Sequence, residues 1–210
     1  VMAANDKPNN MDRTYPMSRE EAMEVILNNM PGDTIYSATT GRATRELFFL
    51  REKRSETKAH DFLNVGSMGH ASSVALGIAL EKPERKVVAL DGDSACMMHM
   101  GAMTMVSKLD VPNFMHVVLN NGSHESVGGQ PSAGHKVDFT KIAEACDYAT
   151  VGHPVTTEVE LMEALEVLRN CGKASFIDCR IHKGLSRKLP PVIFDHREVI
   201  DALIDNLNES

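Results

Sequence analysis

In Lys86-Val87-Val88-Ala89-Leu90-Asp91-Gly92-Asp93-Ser94 a short apolar, β-branched run stops at two acids that flank a glycine. A run this short with no polar alternation reads as a strand buried on both faces, and Ala95–Lys108 behind it reads as a helix. The same change of period recurs along the chain. Strands are predicted at 34–38, 62–65, 86–90, 114–119, 148–151 and 175–180, and helices at 44–53, 70–81, 95–108, 139–146, 158–170 and 196–207. Strand and helix alternating in this way predict an α/β fold: a doubly wound parallel sheet of about six strands with helices on both faces. Ser18-Arg19-Glu20-Glu21 forms a capping box that opens a further helix, which Pro31-Gly32 ends.

Ligands of such sheets sit at the carboxyl ends of the strands, where strand order reverses. Three of these ends carry small residues: Thr39-Thr40-Gly41, Gly66-Ser67-Met68-Gly69-His70 and Gly92-Asp93-Ser94. Small residues let the backbone approach a ligand, and a helix start beyond them offers amides to an anion. A carboxylate among such amides makes sense when a divalent cation bridges it to phosphate, and Mg²⁺ prefers that mixture. The plain alternative is that Asp93 caps the helix behind it. The next strand supplies a second ligand, because it ends at Asn120-Asn121-Gly122-Ser123, with Asn121 28 positions after Asp93. One crossover of that length returns the chain to the neighbouring parallel position, so both residues can reach one ion. Asn-Asn-Gly could equally be only a turn.

Gly92-Asp93-Ser94 followed by Leu119-Asn120-Asn121 resembles the thiamine-diphosphate signature Gly-Asp-Gly…Asn-Asn, with Ser94 in place of the last glycine. Gly66-Ser67-Met68-Gly69-His70-Ala71-Ser72, Thr39-Thr40-Gly41 with Arg45-Glu46-Leu47-Phe48, and Asn120 to Gln130 resemble the phosphonopyruvate decarboxylase family of thiamine-diphosphate-dependent 2-oxo acid decarboxylases. Sulfopyruvate decarboxylase is a close cousin, and the likeness covers residues 17–185. It implies that Asp93, the Asn121 side chain and the Ser123 carbonyl hold Mg²⁺. It implies that Thr39, Thr40, Gly41, Gly92, Ser94 and Ala95 hold the cofactor's diphosphate side. Gly66, Ser67 and the apolar wedge Met68 would meet its rings, and His124, Glu125 and His70 would face the reacting centre or a small anionic 2-oxo acid substrate. Decarboxylation needs an electron sink at the carbonyl carbon, which thiamine diphosphate supplies.

The family's activating Glu comes from a pyrimidine-binding domain, for which these residues leave no room. The resemblance therefore implies a partner, either the rest of a longer enzyme or a separate subunit, together with a homo-oligomer. By this reading residues 1–16 are a linker or chain edge and 17–210 the thiamine-diphosphate domain. Each site residue has a plainer rival: Met68 could be packing, as Met97, Met98, Met100, Met103 and Met105 are expected to be, and His70 could cap a helix. The runs Arg51-Glu52-Lys53-Arg54 and Arg187-Lys188 read as solvated faces.

Composition narrows the field further. With 22 basic against 29 acidic residues the formal net charge is −7, which argues against nucleic acid. No apolar stretch is long enough for a membrane span and no secretory segment opens the chain, so a cytoplasmic setting is expected. Cys96, Cys146, Cys171 and Cys179 lack a Cys-x-x-Cys pair and are expected as buried, reduced thiols. The chain has no G-x-G-x-x-G after a strand and no P-loop, which excludes the common dinucleotide and nucleotide readings. A non-catalytic interaction module with the same fold is the remaining alternative.

Overall fold

A computed structural model describes residues 14–184 and 195–209. Most of the expected linker, and Arg187-Lys188, lie outside the described residues. Helix α1 (Arg19–Asn29) opens with the anticipated capping box: Ser18 Oγ accepts from Glu21 N at 3.2 Å, and Glu21 Oε2 accepts from Ser18 N at 2.8 Å. Then follow β1 (Ile35–Ala38), α2 (Arg42–Lys53), β2 (Asp61–Leu63), α3 (Ala71–Glu81), β3 (Val87–Gly92), α4 (Asp93–Met98) and a 3₁₀ turn at Met100–Met105. The second half holds β4 (Phe114–Asn120), β5 (Ser123–His124), a 3₁₀ turn at Glu125–Val127, β6 (Gln130–Pro131), α5 (Phe139–Ala145), α6 (Glu158–Leu168), β7 (Ser175–Arg180) and α7 (His196–Asn208).

Five strands form one parallel sheet in the order β2-β1-β3-β4-β7, and β5 and β6 make a small antiparallel hairpin. Alternate strand residues build a core on each face. Met23, Ile26, Leu47, Leu50, Leu161 and Leu165 of α1, α2 and α6 cover Val88, Leu90, Val117 and Ile177. Ala75 and Ala79 of α3, Phe139 of α5 and Leu203 of α7 cover the other side, on Ile35, Val87, Ala89, Phe114, Val118 and Phe176. The sheet is thus wound on both faces, and each large side chain so buried is worth about 1.5–3 kcal/mol. No helix among the described residues is long and apolar enough to cross a membrane.

Five expectations are corrected. The sixth strand, 148–151, makes only the isolated bridge Ala149↔Ser175; a second bridge, Val155↔Cys179, follows after Gly152 at φ +81 and Pro154, which has no amide hydrogen to donate. The helix expected over 95–108 instead breaks at His99 (φ −130°, ψ 37°). Gly101 weakens it, and the Thr104 and Ser107 hydroxyls donate to carbonyls three residues back, at 2.7 Å each. Of its five methionines only Met103 is buried, while Met98 and Met105 are 57% and 47% exposed. Arg51, expected on a solvated face, is buried and gripped by Asp61, and among the cysteines only Cys96 and Cys179 are buried whereas Cys171 is exposed.

Candidate active site

The connection from β1 to β2 runs one way along the sheet and that from β3 through β4 to β7 the other, so the order reverses between β1 and β3. Register pairs Ala38 with Leu90 and Gly92 with Leu119, which brings Thr39, Asp93 and Asn121 to adjoining strand ends. One cleft there is lined by Thr39, Thr40, Met68, Gly92, Asp93, Ser94, Ala95, Asn121, Ser123, His124 and Glu125. Gly41, Gly66, Ser67 and His70, also singled out from the sequence, do not line it.

The β1 end is held by its own backbone. Thr39 N donates to Leu90 O at 2.8 Å, and Thr44 Oγ1 donates to Thr39 O at 2.9 Å. Gly41, at φ +98, turns the chain into α2 without a side-chain cap, so the first amides of that helix are not consumed by a cap. Gly66 N donates to Thr40 Oγ1 at 2.9 Å, which ties the Gly66-Ser67 turn to the same rim. His70 takes a separate position: its exposed ring stacks on His99 with centroids 4.2 Å apart, and both line another hollow with Met97 to Ala102. It stands at the N-cap of α3 but makes no side-chain cap.

Asp93 is 3% exposed and is the first residue of α4, with Gly92 rather than Asp93 at the N-cap position. Its carboxylate accepts from the Ser132 hydroxyl and also from the Ser94 backbone. Burial pushes its pKa above the usual carboxylate range, and the Ser132 hydrogen bond opposes that shift. Asn121 Oδ1 accepts from Ser123 N at 3.0 Å, leaving a lone pair on a hard oxygen beside the carboxylate. Asn120, one residue earlier, is a brace: its Nδ2 donates to Gly134 O and Asp178 Oδ1, both at 3.0 Å.

The cleft is chemically incomplete. Thr39 Oγ1, Arg42 Nε, Ser94 Oγ and Ser123 Oγ are buried with no hydrogen-bond partner, and all four residues line it. Each such group costs about 1–3 kcal/mol when left unpaired. A diphosphate would give these donors oxygen acceptors. The Asp93 carboxylate and the Asn121 amide oxygen of the same cleft are hard oxygen donors of the kind a Mg²⁺ bridging to phosphate would need. Among the described residues no group of three His, Cys, Asp or Glu is assembled.

Residues 39–179 match the family model of the thiamine pyrophosphate enzyme C-terminal TPP-binding domain. The chain belongs to this family. Over 148 residues it is 38% identical to a phosphonopyruvate decarboxylase of Streptomyces viridochromogenes, covering 70% of this chain and 36% of that protein. It is 27% identical over 190 residues to the sulfopyruvate decarboxylase subunit beta of Methanocaldococcus jannaschii, covering 87% and 95%. The chain therefore spans about a third of the phosphonopyruvate decarboxylases it matches. In fold it is similar to a thiamine diphosphate-dependent 4-hydroxybenzoylformate decarboxylase of Rhodococcus jostii, with TM-score 0.63 and 17% identity over 86% of this chain and 35% of that one.

The sequence reading of this TPP-binding domain missed the two arginines of the cleft. Arg19 of α1, 6% exposed, bonds Glu46 at 3.2 Å and also pairs with Glu125, whose other oxygen accepts from Gly184 N. Arg42 donates to the Glu125 carbonyl at 3.2 Å. Glu125 is thereby clamped on both carboxylate oxygens, while His124 beside it also lines the cleft. Burial raises the pKa of Glu46, and the Arg19 charge opposes the shift. Arg42 follows Gly41 directly and was within reach of motif reading; Arg19 pairs with a carboxylate 106 residues away, which no local pattern displays.

Proposed function

We propose that this chain is the diphosphate- and Mg²⁺-binding half of a thiamine-diphosphate-dependent decarboxylase that converts 3-phosphonopyruvate to phosphonoacetaldehyde and CO₂. The observation that carries this reading is the convergence of four unpartnered buried polar atoms on the cleft holding Asp93 and Asn121. Asp93, the Asn121 amide oxygen and the Ser123 carbonyl would hold the cation. Thr39, Thr40 and Ser94 would hold diphosphate oxygens, and Met68 would give the bound rings an apolar surface. Thiamine diphosphate supplies, when bound, the electron sink that loss of CO₂ requires. His124, which lines the same cleft, would face the reacting centre or the substrate. Arg42, with Nε unpaired, offers positive charge to the substrate's second anionic group.

The activating Glu would come from a pyrimidine-binding domain or subunit, within an oligomer and in a cytoplasmic setting. A sulfonate substrate is the second reading. What favours it is the likeness to a sulfopyruvate decarboxylase beta subunit along 95% of that subunit's length.

Thermal melting tests the cofactor reading, since a ligand that binds only the folded state raises the melting temperature. A rise is expected with thiamine diphosphate and Mg²⁺ together and not with either alone; a flat response overturns the reading. Turnover of 3-phosphonopyruvate against sulfopyruvate, after a pyrimidine-binding half is added, separates the two substrates. The 210-residue chain alone is expected to be inactive. Robust turnover by it alone overturns the need for a partner.

A further inference from the structure

The Ser132–Gly134 segment packs on Asp93 at the start of α4, and no motif in the sequence marks it. Its parts are nevertheless fastened to Asp93 from several directions. Ser132 Oγ donates to Asp93 Oδ2 and accepts from Gly134 N at 3.0 Å. Gly134 O accepts from Asn120 Nδ2 at 3.0 Å, and that same nitrogen donates to Asp178 Oδ1 of β7 at 3.0 Å. The fit at Gly134 is close: a Cβ there would fall on Asp93 Oδ2 and come within 2.5 Å of Asn120 Oδ1. A continuous set of hydrogen bonds thus runs from Asp178 through Asn120, Gly134 and Ser132 to one oxygen of Asp93.

We propose that Ser132 is a positioning residue for the cation site, holding Asp93 Oδ2 so that Oδ1 is kept in place for the metal, with Asn120 and Asp178 bracing Ser132 from the far strand. The proposal rests on the cofactor reading above. A carboxylate that ligates through one oxygen is free to swing about its Cβ–Cγ bond unless the other oxygen is held. Partners of that kind typically carry a 10–100-fold effect on metal affinity, about as much as some direct ligands. Asn120 accordingly serves the site through structure while Asn121 faces it, which gives two adjacent asparagines two different tasks.

The test titrates Mg²⁺ at fixed, saturating thiamine diphosphate and reads the midpoint of the rise in melting temperature. Ser132→Ala is expected to raise the Mg²⁺ midpoint about 10-fold or more, with the ligand-free melting temperature little changed because Ser132 is half-buried and lies outside both apolar cores. Ser132→Thr, which keeps the hydroxyl, is expected to restore most of the difference, and Gly134→Ala, which forces the segment off Asp93, to weaken Mg²⁺ in the same direction. A ligand-free melting temperature that falls while the Ser132→Ala midpoint stays at the wild-type value means a merely structural hydroxyl and overturns the proposal. No Mg²⁺ response in the wild-type chain overturns the cation reading itself, and the role of Ser132 with it.

Discussion

Asp61 and Asp93 are both buried aspartates at opposite ends of parallel strands: Asp61 opens the edge strand β2 and Asp93 follows the central strand β3. Asp61 is closed off, since Arg51 Nε and Nη2 each donate to one of its oxygens at 2.9 Å, Arg51 Nη1 donates to Glu56 at 2.7 Å, and the guanidinium lies 5.2 Å from the Tyr36 ring centroid. Asp93 has the neutral Ser132 hydroxyl for a side-chain partner, and three hydroxyls around the cleft have none. Burial is nearly the same in the two places, so burial does not distinguish a strut from a site. Completeness of pairing does.

The largest effect should come from breaking the closed pair. Arg51→Ala leaves the Asp61 carboxyl buried without its partner, and is expected to cost about 3–5 kcal/mol in urea unfolding while leaving the Mg²⁺ midpoint of the folded fraction unchanged. A loss under 1 kcal/mol would mean that the pair is not the strut its geometry implies. At the open cleft, Asp93→Asn is expected to abolish the Mg²⁺-dependent rise in melting temperature, a loss of about 2.7 kcal/mol at a ligand concentration 100-fold above Kd. Without ligand it should be as stable as the wild type or more so, because a desolvated charge is removed. A ligand-free destabilisation as large as that of Arg51→Ala would erase the contrast.

The smallest effect sharpens the scale. Glu160 sits in the capping box of α6, and its carboxylate accepts from Thr156 N at 2.7 Å, which with the Thr156 hydroxyl holds its pKa below the ordinary 4.5. Its contribution to stability is therefore present above pH 4.5 and fades as pH falls through the depressed value. Glu160→Gln should flatten that part of the acid slope in a pH series of unfolding curves and alter nothing at the cleft.

What could be read from the sequence follows from how far each signal reaches. The strand-to-helix changes at 86–95 and the pair Asp93 and Asn121 lie within one crossover, so period and spacing carry them. Glu21 answers Ser18 within one helical turn, and the capping box was legible for the same reason. The strand at 148–151 failed because apolar, β-branched content says nothing about whether a neighbour's backbone lies in register; Gly152 and Pro154 interrupt the pairing. The methionines after Asp93 failed because helical spacing was assumed across His99, where the helix stops. Ser132 and Gly134 were beyond reach: they meet Asp93 only once the β5–β6 hairpin has folded back over α4, 39 residues on.

The broken pairing beside β7 has a further consequence. An uninterrupted border strand presents a row of free amides and carbonyls on which a stray polypeptide can grow. Here residues 149–155 touch β7 at two points only and lift away between them, with a proline in the gap. The border is thereby blunted, and this flank of the molecule offers a poor template for intermolecular β growth at the concentrations where sticky borders begin to aggregate.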